Sequence, residues 1–411
     1  MKNKIIQGDS LVELKKLPEN SVDSIVTDPP YELGFMGKSW DSTGIANNVE
    51  MWKECLRVLK PGGHLLAFSG TRTYHRMASA IEDAGFEVRD MIEWVYGSGF
   101  PKSLNIGKAV DKLQGNDREV VGKTQSVQFQ EKGYEYKGDK KGSGFNNEKY
   151  WGFGNDVTKG TSEWEGWGTA LKPAHEPICM ARKPLGEKTV AKNCLKWGTG
   201  GINIDESRVE YNDGTTAEDI KRKYTGNNEN NGSVTNNFGV KEIKMTSEST
   251  LLGRFPANLI LSADENGNVH EEVKECFPET KPSKQNRHSD NRKNVGNSMF
   301  IDGVHNSENS YTDSGSASRF FKSIIYQAKA SKSDRAANGT ITNNHPTVKP
   351  IALMEYLIKM VTPKGGIVLD PFAGSGSTLV AAKQNGYQYI GIELTEEYIP
   401  IIEARLTNLD K

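Results

Sequence analysis

Thr27-Asp28-Pro29-Pro30-Tyr31 follows the short apolar run Ser24-Ile25-Val26. Two prolines directly after a strand end its hydrogen-bond ladder and fix the backbone, so the acid before them and the ring after them are held at the strand's end. These parts suit a planar heterocycle bearing an amino group: Tyr31 can stack on it, while Asp28 and a proline carbonyl accept hydrogens from its nitrogen. The same residues also read as an Asp-Pro-Pro turn with a packing tyrosine. A second stretch, residues 366–378, reads as an apolar strand, a glycine-rich turn and a helix start. Glycines there let a ligand approach the backbone, and the helix N-terminus offers unpaired N–H groups. A further strand over residues 387–392 ends in Glu393, seventeen residues after Gly376, where an acid can hold ribose hydroxyls. Leu379 stands where the third glycine of the dinucleotide fingerprint belongs, which disfavours a nicotinamide cofactor and leaves another adenosine-containing one.

Taken together and in this order, the residues resemble the S-adenosylmethionine-dependent DNA amino methyltransferases of the beta class. That family carries Asp-Pro-Pro-Tyr early, a variable recognition region in the middle and Phe-x-Gly-x-Gly late, as do Asp28-Pro29-Pro30-Tyr31 and Phe372-Ala373-Gly374-Ser375-Gly376 here. Gly8-Asp9 after the first strand and His345-Pro346-Thr347-Val348-Lys349-Pro350 are further matches. The resemblance covers about residues 1–110, 165–185 and 320–411. It implies S-adenosylmethionine as cofactor and Asp28, Pro29, Pro30 and Tyr31 as the catalytic residues. It also implies that Asp9 contacts the cofactor's adenine, a position that reads equally as a helix N-cap. Thr347 and Lys349 are implied as cofactor-side contacts, Phe372 as a neighbour of the cofactor, Gly374 and Gly376 as the turn that admits its methionine portion, and Glu393 as the ribose ligand.

The elements that must position these residues alternate in type. Strands are expected over residues 4–7, 24–27, 64–68, 86–95 and 172–181, then 366–370 and 387–392. Helices are expected over 10–17, around the apolar face of Met51, Cys55, Val58 and Leu59, and over 74–84, 351–361 and 377–385. Lys60-Pro61-Gly62-Gly63 reads as the end of the second helix, and Thr395 as the cap of a last helix running to about Leu406. The alternation predicts an α/β fold with a doubly wound, mostly parallel, Rossmann-like sheet. Ligands in such sheets sit beyond the carboxyl ends of strands, where Asp9, Asp28, Ser69, Asp370 and Glu393 all fall. Joining the strand that ends at Glu393 to the one that ends at Asp9 restores a continuous cofactor-binding order, so a circularly permuted methyltransferase sheet is expected.

At 411 residues the chain exceeds one typical domain. The expected division is a catalytic half over 1–185 with a loop insertion near 114–163, a target-recognition insertion over 186–335, and a cofactor-binding half over 336–411. Formal charge is −1, so a nucleic-acid surface must be local. Between Lys281 and Arg335 ten Lys/Arg stand against five Asp/Glu, a surplus of +5, with Phe300, Tyr311, Phe320, Phe321 and Tyr326 interspersed. A solvated loop face is the other reading of these charges. Residues 225–238 hold six asparagines and read as a loop. Gly122-Lys123-Thr124 lacks the first glycine of a phosphate loop, Asp117 standing there, and is read as chance. The loop after Tyr31, rich in glycine and aromatics as far as Asp41, reads as a base-covering loop or as a surface loop. Cys55, Cys179, Cys194 and Cys276 are too widely spaced for a metal cluster, and reduced thiols in a cytoplasmic protein are expected. No run approaches the ~20 apolar residues of a membrane span.

The chemistry expected is methyl transfer to the exocyclic nitrogen of a flipped base in duplex DNA. Its lone pair is delocalised into the ring, and acceptors at Asp28 and the Pro29 carbonyl would draw the amino group toward a tetrahedral nitrogen. Cytosine carbon-5 methylation needs a cysteine nucleophile after a proline, and no Pro-Cys pair occurs. An aspartate in first place resembles the adenine-N6 enzymes, with cytosine-N4 as the alternative; RNA, a glutamine side chain and a non-catalytic DNA-binding role are further alternatives. The resemblance leaves open a partner restriction nuclease and a homodimer.

Overall fold

The computed structural model describes residues 2–33, 39–97, 103–123, 156–210, 253–264, 267–280, 315–325, 343, 345 and 347–410. They form two units, one of Met1–Ser98 with Ala174–Lys411 and one of Gly99–Pro173. In chain order the strands are β1 (Lys4–Gln7), β2 (Val22–Thr27), β3 (Leu59–Phe68), β4 (Glu87–Val95), β5 (Glu119–Lys123), β6 (Asp156–Lys159) and β7 (His175–Arg182). There follow β8 (Leu259–Ala263), β9 (Glu279–Thr280), β10 (Gly315–Ser316), β11 (Lys322–Ile325), β12 (Ile367–Asp370) and β13 (Gln388–Glu393). The helices are α1 (Ser10–Leu14), α2 (Val49–Val58), α3 (Tyr74–Asp83), α4 (Ile106–Gln114), α5 (Val190–Trp197), α6 (Glu271–Lys274), α7 (Ile351–Val361), α8 (Ser377–Gln384) and α9 (Ile399–Thr407).

Nine strands of the larger unit form one sheet in the order β1-β13-β12-β2-β3-β7-β4-β8-β11. Every neighbouring pair is parallel except those of β7, which runs antiparallel to both β3 and β4. The carboxyl ends of eight strands and the amino end of β7 therefore share one edge. Alternation along the strands sorts side chains onto two faces. Ile25, Leu65 and Leu369 pack with α1, α2 and α3, while Val26, Leu66 and Val368 pack with α7, α8 and α9. Both faces are thus covered, as a largely parallel sheet requires. Helix α8 lies close to β13 because of Gly391: a Cβ there would stand 2.4 Å from Leu379 Cδ1. The small residue is on the strand and the large one on the helix, which accounts for Leu379 at the missing glycine position.

Several boundaries differ from expectation. Helix α1 ends at Leu14 rather than Leu17. Lys60-Pro61-Gly62-Gly63 does not separate α2 from a strand at residue 64, because β3 begins at Leu59. Gly62, at φ +80°, donates its N–H to the Lys183 carbonyl, and the Pro61 carbonyl accepts from Asn193 and Thr199, so long-range partners keep the segment extended. Thr395 makes no side-chain cap; its backbone N–H is drawn instead to Glu393 Oε1 at 2.8 Å. The region 186–335 contributes β8 and β11 to the main sheet, two short runs between polar segments. In the basic stretch 281–335, Arg319 lies over the Phe320 ring at 4.3 Å and Arg254 faces the same ring at 5.2 Å. These residues precede β11 and β8, at the sheet edge opposite the carboxyl ends. The asparagine-rich run, Phe300, Tyr311 and Tyr326 lie outside the described residues.

The smaller unit carries α4 and the antiparallel pair β5–β6. Arg118 ties it together by hydrogen bonds to Asp111, to the Thr158 carbonyl at 3.0 Å and to Glu165 at 2.9 Å. None of its described residues belongs to either apolar core. Gly122 and Lys123 are exposed on β5. All four cysteines are free, and no described helix is long and apolar enough to cross a membrane.

Trp52 is fully buried on α2, and its indole N–H donates to the Ala46 carbonyl at 2.8 Å. Trp52→Ala is expected to lower the unfolding free energy by about 3–5 kcal/mol, read from urea denaturation. A loss below ~1 kcal/mol would show that this layer does not pack as described.

Candidate active site

Strand β2 is buried at all six positions, which leaves the residues after it to emerge at the sheet's edge. Thr27 donates its hydroxyl proton to Asp370 Oδ1 at 2.6 Å, joining the ends of β2 and β12. Asp28 follows with its two carboxylate oxygens in unlike surroundings. Its Oδ2 accepts from Lys349 Nζ at 2.7 Å, whereas Oδ1 is buried and has no hydrogen-bond partner. Pro29 is buried and Pro30 partly so. The backbone beyond them is pinned by Thr73, whose hydroxyl donates to the Tyr31 carbonyl at 2.7 Å. Past Tyr31, buried Asp41 accepts the N–H groups of Glu32 and Leu33.

Lys349 enters from the segment before α7 and is nearly buried. Besides Asp28 it reaches Tyr31 Oη at 3.0 Å and Glu176 Oε2 at 3.2 Å, and its ammonium lies 4.9 Å from the Phe68 ring centroid and 5.2 Å from that of Tyr31. Tyr31 in turn donates its hydroxyl to Glu176 Oε2 at 2.8 Å. Burial first, and then the Asp28 and Glu176 carboxylates, push the Tyr31 hydroxyl well above its ordinary pKa, so it remains a neutral phenol. The sequence reading placed Lys349 on the cofactor side and did not single out Glu176. Glu176 stands at the start of β7, and because that strand is antiparallel its amino end reaches the site edge. The acid before Pro177 and an apolar run was the signal available.

The remaining expected residues gather on β1, β12 and β13. Gly8 donates its N–H to the Glu393 carbonyl at 2.9 Å. Asp9 is exposed and caps α1, accepting from Val12 N at 3.1 Å. Asp370 also accepts the Phe372 N–H at 3.1 Å. Gly374 and Gly376 adopt left-handed φ of +53° and +81°, and the Gly374 N–H donates to Glu393 Oε2 at 2.7 Å. A Cβ on Gly374 would stand 2.9 Å from His345 Nε2. Burial pushes the His345 pKa down to about 4, which leaves the imidazole neutral. Its Nδ1 lies 2.5 Å from the carbonyl oxygen of Thr347, an exposed residue.

The model of the DNA methylase family matches residues 22–404, and the chain belongs to that family. It is 22% identical over 445 aligned positions to the type II methyltransferase M.HindIII of Haemophilus influenzae, an alignment that spans 98% of this chain and 94% of that protein. A shorter match, 49% identical over 63 residues, is to the DNA adenine methyltransferase YhdJ of Escherichia coli and spans 15% of this chain and 21% of YhdJ. The chain spans between 21% and 38% of the length of six other curated relatives that it matches. Among solved structures, the cytosine-N4-specific PvuII DNA methyltransferase is similar at a TM-score of 0.45 and 14% identity, over 98% of this chain and 86% of that one.

S-adenosylmethionine is the cofactor on which the DNA methylase family depends. The site's donor set fits it. Carboxylates at Asp9 and Glu393 would suit its hydroxyl and amino groups, and the Gly374–Gly376 turn, with both glycines at left-handed φ, would allow close approach of its amino-acid end.

Burial pushes the Asp370 carboxyl up to about 6 despite its hydrogen bonds from Thr27 and Phe372. The folded value lies above the unfolded one, so the native state binds more protons in between and stability falls as pH rises through that window. Relative to Asp370→Asn, wild-type stability is expected to drop by about 2–3 kcal/mol between about pH 4 and pH 6.5. Denaturant unfolding across that range measures it, and a pH-independent difference would remove the shift.

Proposed function

We propose that the chain transfers a methyl group from S-adenosylmethionine to the N6 amino group of adenine in duplex DNA, with the target base extruded from the helix. The observation that carries this reading is the buried, unpartnered Oδ1 of Asp28, whose other oxygen shares the Lys349 ammonium with the Tyr31 hydroxyl. A lone carboxylate oxygen without a donor is costly to leave unmet, and an exocyclic amino group supplies the missing hydrogen. The cofactor supplies an electrophilic methyl on a sulfonium. Asp28 Oδ1 and the Pro29 carbonyl hold the two amino hydrogens, which turns the nitrogen lone pair out of conjugation and toward that methyl. Tyr31 stacks on the extruded base, and its contribution of about 1–3 kcal/mol offsets part of the cost of flipping. The extra proton on the methylated nitrogen then leaves through Asp28. Asp9, Phe372, Gly374, Gly376 and Glu393 hold the cofactor, with Thr347 at the margin of that subsite. Aspartate in the first position of the tetrapeptide favours adenine over cytosine. Base reading falls to the segments between β7 and β12.

Incubation with labelled S-adenosylmethionine and mixed-sequence duplex DNA, followed by nucleoside mass spectrometry, is expected to yield N6-methyladenine. N4-methylcytosine would overturn the choice of base, and bound cofactor without transfer would favour a non-catalytic role. Asp28→Ala is expected to slow transfer by at least ~10³-fold while the dissociation constant of S-adenosylhomocysteine, which carries no sulfonium charge, changes less than about threefold. Equal turnover in the two proteins would take Asp28 out of the mechanism.

A further inference from the structure

The cluster around Asp28 contains one carboxylate that the reading above does not use. Glu176 Oε2 receives both the Tyr31 hydroxyl at 2.8 Å and the Lys349 ammonium at 3.2 Å, while Lys349 also holds Asp28 Oδ2 at 2.7 Å. Burial alone would lower the pKa of Lys349, but Asp28 and Glu176 together raise it above its ordinary value, so the group is an ammonium. An ammonium at this distance would cancel the charge of Asp28. The proposed reaction brings a sulfonium to that carboxylate and leaves positive charge on the nitrogen that accepts the methyl, so a neutral cluster would give little help. With Glu176 included, two carboxylates surround one ammonium and the formal charge is −1. The side chains of Lys349, Asp28 and Glu176 are 9%, 20% and 21% exposed, so water screens the balance only in part. Of the neighbouring acids, Asp370 interacts with Asp28 and is pushed up to about 6 by burial, and Glu93 lies 3.2 Å from His175 Nε2.

We infer that Glu176 is a positioning residue that sets the charge of the site: it holds Lys349 on one oxygen of Asp28 and gives the cluster the net negative charge that favours a sulfonium over an uncharged sulfide. The inference rests on the methyltransferase reading and deepens it. Isothermal titration of the full chain with S-adenosylmethionine and with S-adenosylhomocysteine, which lacks the methyl and its positive charge, tests it through binding alone. Glu176→Gln keeps the shape and removes the charge. It is expected to reduce the preference for the sulfonium over the sulfide by roughly 10-fold, and Glu176→Asp to return that preference to within about twofold of wild type. A purely structural role would weaken both ligands together. Binding intact with the same preference in all three proteins would overturn this inference alone, whereas failure of the wild-type chain to bind either ligand would overturn the methyltransferase reading and the inference with it.

Discussion

Lys349 keeps its charge inside the protein because two carboxylates meet it, and those carboxylates come from distant parts of the chain. Asp28 arrives at the end of β2, Glu176 at the start of β7, and the lysine itself from the segment leading into α7. Removing one partner from such a group typically costs 3–5 kcal/mol, because the charge left behind is buried and unmatched. The fold must therefore satisfy this triplet whenever it closes. The aromatic rings of Tyr31 and Phe68 beside the ammonium complete a pocket in which a polar group can be held in one orientation. The Lys349 bond holds Asp28 by Oδ2 and leaves Oδ1 buried and unsatisfied.

The other side of the site depends on a different kind of tie. Glu393 accepts backbone N–H groups on both carboxylate oxygens, one from Gly374 and one from Thr395, so it holds the glycine turn in shape. Thr27 and Asp370 join the two sides by a buried hydrogen bond between adjacent strands. A change in the protonation of Asp370 is therefore felt at the end of β2, one residue from Asp28.

Much of this was readable from local pattern. The apolar runs of β1, β2, β12 and β13, the prolines after Asp28 and the glycines after Phe372 are short-range signals, and they place Asp9, Asp28, Asp370 and Glu393 at strand ends. What was not readable depends on partners far away in sequence. The extension of β3 back to Leu59 needs Lys183 and Asn193, and Thr395 stands at a cap position without a side-chain cap bond while its N–H donates to Glu393. Strands β8 and β11 are too short to stand out from polar surroundings until the edge of the sheet pairs with them. Glu176 escaped notice because a reading by carboxyl ends looks past β7, which runs against its neighbours in the nine-stranded sheet.

The contact of Leu379 with Gly391 bears on how such folds are recognised. The gap between a helix and the strand beneath it is set by two side chains jointly, and their volumes can be exchanged without altering the distance. A glycine on the helix and a glycine on the strand are equivalent solutions to one spatial problem. A pattern that specifies only the helical position captures half of the solutions, and the substitution it rejects is matched, twelve residues later, by one it does not inspect.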